Sequence, residues 1–205
     1  DSKNDLGVRY SISTTYSDEM EPSILNFQTI QKNNRSKYPL ALFLDGITDS
    51  HNMGAIIRSA YFLGVDFIVI TSKNCASLNA SVSKTSSGAV EFINIFSSQT
   101  PLKFLELSKQ NGWTFIASAI SETKKSGQKI IPSIETSDLA PLLETSPCVL
   151  VLGSESIGVR KTLIQRSSYK VEINSPRQEI VEGSSPIDSL NVSVASALLI
   201  SKFLE

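Results

Sequence analysis

Six short runs of β-branched, aromatic and other apolar residues punctuate the chain from position 41 onward: ALFL, DFIVIT, VEFINIF, WTFIASA, CVLVLG and YKVEI, with helical patterning between them. Runs that are apolar at consecutive positions are buried on both faces. Strands that alternate with helices lie parallel, because each crossover returns the chain to the same end of the sheet. The pattern predicts an α/β fold, a mostly parallel sheet flanked by helices. Residues 1–38 are polar, rich in Ser, Asn, Thr and Lys, and show neither period; they read as linker and lead-in to one domain over 39–205. The chain opens on Asp1 without an initiator Met, as a processed chain or a piece of a longer one would.

The helices carry their own punctuation. One runs from about Asn52 to Leu63 and stops at Gly64; another starts at Thr100-Pro101, with Pro in the first turn, and leads to Asn111-Gly112. The last, from about Ser189 to the C-terminus, is apolar almost all round, which suits a core helix or a subunit seam. In open parallel sheets ligands collect beyond the carboxyl ends of the strands. That directs attention to DGITDSHN after ALFL, GSESIG after CVLVL, and NSPRQEIVEGSSPIDS after YKVEI.

Composition removes several alternatives. The formal charge of −1 gives no global field for a polyanion, so any nucleic-acid contact is local. Basic clusters occur at Lys32, Arg35 and Lys37, at Lys124, Lys125 and Lys129, and at Arg160, Lys161, Arg166 and Lys170; taken singly, each reads as solvated surface. With two cysteines, Cys75 and Cys148, and one histidine, His51, neither a disulfide framework nor a Cys/His metal site is available, which fits a reducing compartment and no metal. No apolar run spans a bilayer and no signal peptide is visible, so a membrane is not an expected partner.

Three segments carry candidate chemistry. In DSHNMGAIIRSA, the residues Met53, Ile56, Ile57, Ala60 and Leu63 form one apolar stripe and Arg58 lies opposite it. Helical side chains lean toward the N-terminus, so Arg58 would pass over Gly54 and Ala55 to an anion-attracting corner at the helix mouth. A solvent-facing arginine is the equal alternative, and the segment alone leaves both open. VLVLGSESIGVRKTL is a strand, a Gly-bounded turn and a helix, with Glu155 on the turn. It is no dinucleotide fingerprint, P-loop or nucleophile elbow, and alone it reads as an ordinary turn. PIDSLNVSVASALLI brings a polar approach, with Asp188 or Ser189 as helix N-cap, to an apolar helix, and places Asn191 at its start. His51 reads as shaping its loop.

Together these segments resemble the three motifs of the SpoU or TrmH branch of the SPOUT methyltransferases: Asn52-x-Gly54-x3-Arg58-x-Ala60, then LGSESIG at 152–158, then SLNVSVASA at 189–197. Each is weak alone; all three in this order are specific. LNASVSKTSSGAVE, at 78–91, is similar to the connecting segment of bacterial and mitochondrial ribosomal RNA guanosine 2′-O-methyltransferases, and the resemblance covers 41–205. It implies a SPOUT fold with a C-terminal deep trefoil knot, which sequence physics would not suggest. It also implies a homodimer with the active site at the interface, and methyl transfer from S-adenosylmethionine to a ribose 2′-hydroxyl of large-subunit ribosomal RNA, in a mitochondrial matrix or alternatively a bacterial cytoplasm.

By the same resemblance, the cofactor is held at Leu152, Gly153 and Ser154, at Ile173, at Leu190, and at Ser118 and Ala119. Asn52, Arg58, Glu155, Ser189 and Asn191 match catalytic and substrate-positioning residues, with Ser189 also at a cofactor loop. A ribose hydroxyl is a poor nucleophile, so the enzyme must align it and help remove its proton. The family's proposed base is Arg58, but guanidinium scarcely deprotonates in proteins. A phosphate clamp that also stabilises developing alkoxide suits it better, with Asn52 and Asn191 fixing loops and ribose and Glu155 orienting its loop or Arg58. The chain departs from the family after YKVEI, where an insertion over 174–188 replaces an Ile-Pro-Met-like turn. The alternatives are a non-catalytic knotted RNA-binding or ribosome-assembly protein and a generic nucleotide-binding α/β enzyme, the second disfavoured by the missing phosphate loops.

Overall fold

The first strand of the chain lies in the middle of the sheet. A computed structural model describes residues 32–33, 36–119, 130–174 and 189–205. In it, β1 (Leu40–Asp45) is buried at every position. Leu40, Leu42 and Leu44 face one side and Ala41 and Phe43 the other, so a parallel strand covered on both faces results from an uninterrupted apolar run. The remaining strands are β2 (Phe67–Thr71), β3 (Asn94–Ser98), β4 (Thr114–Ser118), β5 (Ser133–Ile134), β6 (Cys148–Gly153) and β7 (Tyr169–Val171). They lie in the order β3-β2-β1-β6-β4-β7-β5, and every pairing is parallel. The expected architecture, a parallel sheet with helices on both faces, is the one found.

On one face lie α1 (Ser50–Leu63), α2 (Ala80–Thr85), α4 (Leu139–Leu143) and α6 (Val192–Leu204), which bury Ile57, Val82, Leu139 and Leu199 among others. On the other lie α3 (Pro101–Gln110) and α5 (Lys161–Arg166), with Phe104, Leu163 and Trp113 around Phe43. Phe43 stacks on Phe104 at 5.4 Å, and Phe67 meets Trp113 edge-on at 5.7 Å.

Local signals set most boundaries. Asp49 caps α1 by accepting from the Asn52 amide at 2.8 Å, and Gly64 ends it in the left-handed conformation at φ 95°. Pro101 opens α3 as expected. Three expectations need correction. VEFINIF is not one strand: after Gly88, at φ 82°, residues Ala89–Glu91 make a turn of 3-10 helix with Ala89 and Val90 buried, and β3 begins only at Asn94. The N-cap of the last helix is neither Ser189 nor Asp188, the latter outside the described residues. It is Asn191, whose Oδ1 accepts from the Ser193 amide at 2.9 Å. The space above Gly54 is not left for Arg58 either. Thr85 and Ser86 occupy it, and a Cβ at Gly54 would lie 2.6 Å from Thr85 Cβ, so this glycine serves the approach of α2 to α1.

Candidate active site

Two loops and one helix start converge at the carboxyl end of the sheet. β1 and β6 are neighbours, with Asp45 opposite Gly153 in register, so the loop leading into α1 and the turn at 154–158 leave the sheet side by side. The turn folds tightly: the Gly158 amide donates to the Ser154 carbonyl at 2.7 Å, and the two residues form an isolated antiparallel bridge. Gly153 is required beneath it, since a Cβ there would run into the backbone of Gly158 and Val159. The turn carries Glu155 outward, exposed, toward the first turn of α1.

There the three motifs meet. Asn52 Nδ2 donates to Glu155 Oε1; Asn191 Nδ2 donates to Asn52 Oδ1 at 3.1 Å and lies 3.5 Å from the same Glu155 oxygen. Because Asn191 Oδ1 is committed to capping α6, accepting also from Ser193 Oγ at 2.6 Å, its amide has one orientation and its donor faces Asn52. Residues 52, 155 and 191 are thereby locked into one polar triangle, with Glu155 accepting from both amides.

Arg58 is not part of that triangle. It stands exposed on the outer side of α1 and makes no hydrogen bond or ion pair with another described residue. Glu155, expected to orient its loop or Arg58, pairs with Asn52 and not with Arg58. The buried stripe on α1 is Met53, Ile56, Ile57 and Ala60, as expected, with Leu63 half-buried. Ser189 and His51 are exposed near these helix starts.

The residues expected to hold a cofactor fall on adjacent strand ends. β6, β4 and β7 run side by side, and Ser118 pairs with Val171 while Ala117 pairs with Val151. Leu152, Gly153 and Ser154 therefore leave β6 next to Ser118 and Ala119 at the end of β4, and Ile173 follows β7 by two residues. The Ala119 amide donates to the Val171 carbonyl at 3.0 Å, which holds those two ends together. Leu190 is half-exposed immediately before Asn191. Small, part-exposed residues at 118, 119 and 154 leave backbone approachable, and Ile173 and Leu190 supply apolar surface, while Leu152 and Gly153 are buried beneath and shape the turn. That donor set suits a ligand with a heteroaromatic base and an aliphatic sulfonium chain. The insertion at 174–188 falls outside the described residues, except for Asn174, which is exposed.

One functional pairing carried no sequence signal. Asp45, at the end of β1 and almost fully buried, takes the Arg160 guanidinium through Nε at 2.8 and 3.0 Å and through Nη2 at 2.6 Å, and it also accepts from the Arg160 amide at 3.1 Å. The 154–158 turn is thus fastened at its far end to β1. Arg160 is consumed by this, and Arg166 pairs with Glu106, so two members of the third basic cluster are internally engaged. The cluster at 124, 125 and 129 lies outside the described residues. Among the described residues, no three His, Cys, Asp or Glu side chains are gathered to hold a metal ion, and no helix is long and apolar enough to cross a membrane.

Comparison with known proteins gives the same frame. The model of the SpoU rRNA Methylase family matches residues 39–201. The chain is 47% identical over 194 residues to the mitochondrial rRNA methyltransferase 1 of Saccharomyces cerevisiae, covering 92% of this chain and 46% of that protein. It is 32% identical over 166 residues to a 23S rRNA (guanosine-2′-O-)-methyltransferase of Pseudomonas aeruginosa, covering 81% of this chain and 58% of that one. The chain thus spans about half the length of the curated relatives it matches. The AdoMet-bound rRNA methyltransferase of Sinorhizobium meliloti superposes with a TM-score of 0.67 at 20% identity, over 87% of this chain and 59% of that one, which speaks to fold.

Proposed function

Because the chain belongs to the SpoU rRNA methylase family, we propose that it transfers a methyl group from S-adenosylmethionine to a ribose 2′-hydroxyl, on a guanosine of large-subunit ribosomal RNA. The observation that carries the reading is the Asn52–Glu155–Asn191 triangle, built from three separate motifs beside the strand ends expected to bind the cofactor. Similarity to mitochondrial and bacterial relatives supports a ribosomal substrate, and the higher identity to the mitochondrial one favours the matrix over a bacterial cytoplasm.

When bound, the cofactor supplies an activated methyl group on a sulfonium. The protein's part is alignment and charge. Asn191, fixed by the cap of α6, and Glu155 hold Asn52 rigid, and the remaining Nδ2 hydrogen of Asn52 fixes the ribose without reorganising during reaction. Arg58, free of any partner among the described residues, takes the adjacent RNA phosphate and stabilises charge developing on the 2′-oxygen. The proton leaves to that phosphate or to water.

The active form is a homodimer with the site at the interface, its C-terminal segment threaded as a trefoil knot. Two apolar exposures support a seam: Tyr61 and Phe62 at the end of α1, the latter 85% exposed, and Val194 and Leu198 on α6, which packs against α1.

Calorimetry with S-adenosylmethionine, followed by mapping of 2′-O-methyl positions in ribosomal RNA with and without the protein, tests the reading. Cofactor binding and one new protein-dependent methylated ribose are the expected outcomes. A folded dimer that ignores millimolar cofactor would instead point to a ribosome-assembly role.

A further inference from the structure

A cleft of about 360 Å³ opens on the opposite side of the 154–158 turn from the cofactor strand ends, over the carboxyl ends of β1, β2 and β3. We propose that it receives one nucleotide of the substrate RNA, turned out beside the nucleotide whose ribose is methylated, with its base inside and its backbone phosphate at Lys73. The proposal rests on the reading of the chain as an RNA methyltransferase and adds a determinant of which RNA position is chosen.

Four observations favour a nucleotide. The volume lies in the range of pockets that enclose small organic groups. Ser98, at the end of β3 and 1% exposed, lines the cleft with a hydroxyl that has no hydrogen-bond partner among the described residues. Buried polar groups are normally satisfied, and a base edge offers both the donor and the acceptor such a hydroxyl lacks. Charge favours RNA too. The charged side chains lining the cleft are Asp45, Lys73 and Arg160; Asp45 and Arg160 neutralise each other, which leaves exposed Lys73 as a net positive rim. Ile157, 80% exposed on the turn, gives an apolar surface against which a base can lie.

Position makes the cleft part of the reaction. Ser154 and Ser156, the neighbours of Glu155, line one wall, so a nucleotide seated here is separated from the triangle only by the thickness of that turn. Sequence-specific recognition of RNA works on single-stranded, unstacked bases held in this way.

The test measures affinity of the chain for transcribed large-subunit ribosomal RNA by fluorescence anisotropy, apart from methyl transfer. Ser72→Trp, an exposed position on the cleft wall, places an indole in the space. RNA affinity is expected to fall at least tenfold, while S-adenosylmethionine affinity by calorimetry stays within twofold. Ser98→Ala is expected to weaken RNA about threefold, and Lys73→Ala to flatten the dependence of log Kd on log salt by about 0.7. Unchanged RNA affinity in Ser72→Trp with cofactor binding intact overturns the proposal. Should that variant fail to fold, unchanged affinity and salt slope in the other two do so. If Ser72→Trp weakens RNA binding while the wild-type chain transfers no methyl group, the cleft stands and the activity reading falls. Methyl transfer with cleft variants indistinguishable from wild type would do the reverse.

Discussion

Asn191 Nδ2 donates to Asn52 Oδ1 at 3.1 Å, joining the start of the last helix to the first turn of α1 across 139 residues of chain. The same Asn191 side chain caps α6 with its oxygen, so cap and site share one residue. Substitution can separate the two. Asn191→Asp keeps an acceptor for the Ser193 amide but cannot donate to Asn52, and it adds a negative charge near Glu155. Its stability should stay within about 0.5 kcal/mol while methyl transfer falls by roughly two orders of magnitude. Asn191→Ala should lose about 1 kcal/mol of stability as well. Thermal unfolding and single-turnover methylation read the two effects independently; an active Asn191→Asp enzyme would remove the donor from the mechanism.

The two glycines of the 152–158 motif should respond differently to alanine. At Gly153 the added Cβ meets the backbone of Gly158 and Val159, which no rotamer relieves, so Gly153→Ala should cost more than about 2 kcal/mol and displace the turn. At Gly158 nothing lies within 4 Å of a Cβ, and only the left-handed φ of 69° is strained, worth about 1 kcal/mol. Urea unfolding should rank them in that order. Cofactor affinity should drop sharply in Gly153→Ala alone.

Asp45 and Arg160 form a one-sided pair: the carboxylate side chain is 3% exposed and the guanidinium 50%. Removing the arginine strands a buried charge on one backbone amide, whereas removing the charge frees an arginine that water already reaches. Arg160→Ala should therefore destabilise by about 2 kcal/mol. The double variant Arg160→Ala, Asp45→Asn should recover part of that loss. Failure of the double variant to recover would mean that the guanidinium matters for packing and not for charge.

The legible features were the local ones. Uninterrupted apolar runs such as LALFL gave parallel strands buried on both faces, and Gly64 and Pro101 marked helix ends, because each signal acts within one turn of its own residue. Strand order was not legible: β6 inserts between β1 and β4 because of pairings more than 30 residues apart. Two-residue β5 is too short to carry a pattern. At the site, Asn52, Glu155 and Asn191 were recognisable as motif residues, but which atoms they exchange was not. Nor was Asp45, since an acidic residue closing an apolar run looks like any strand end until Arg160 arrives from 115 positions away.

Arg58 faces solvent, so its replacement should leave folding unchanged, and any loss of activity reports chemistry. If the residue clamps phosphate through its planar fork, Arg58→Lys should keep cofactor affinity and lose at least tenfold in kcat/KM, and Arg58→Ala should lose more. Full activity in the lysine variant would show that a point charge suffices and would end the argument from bidentate geometry.

Cys148 opens β6 with no solvent exposure, and burial pushes its thiol from 9.0 up to about 12, a rise only partly offset by the neighbouring Ser146 side chain. The folded chain therefore keeps a proton that the unfolded chain releases between those values. Stability from this group is complete below pH 9 and declines as pH climbs toward 12, by at most about 1.4 kcal/mol per pH unit. Tyrosines and lysines titrate there too, so the comparison must be with Cys148→Ala. That variant, less stable at neutral pH because of the space it leaves, should show a shallower decline, and the two curves should converge as pH rises. Thiol labelling offers an independent check, because half-buried Cys75 should react in the native protein while Cys148 reacts only after denaturation. Parallel stability curves, or labelling of both thiols at native conditions, would mean that the start of β6 opens to solvent far more readily than its burial implies.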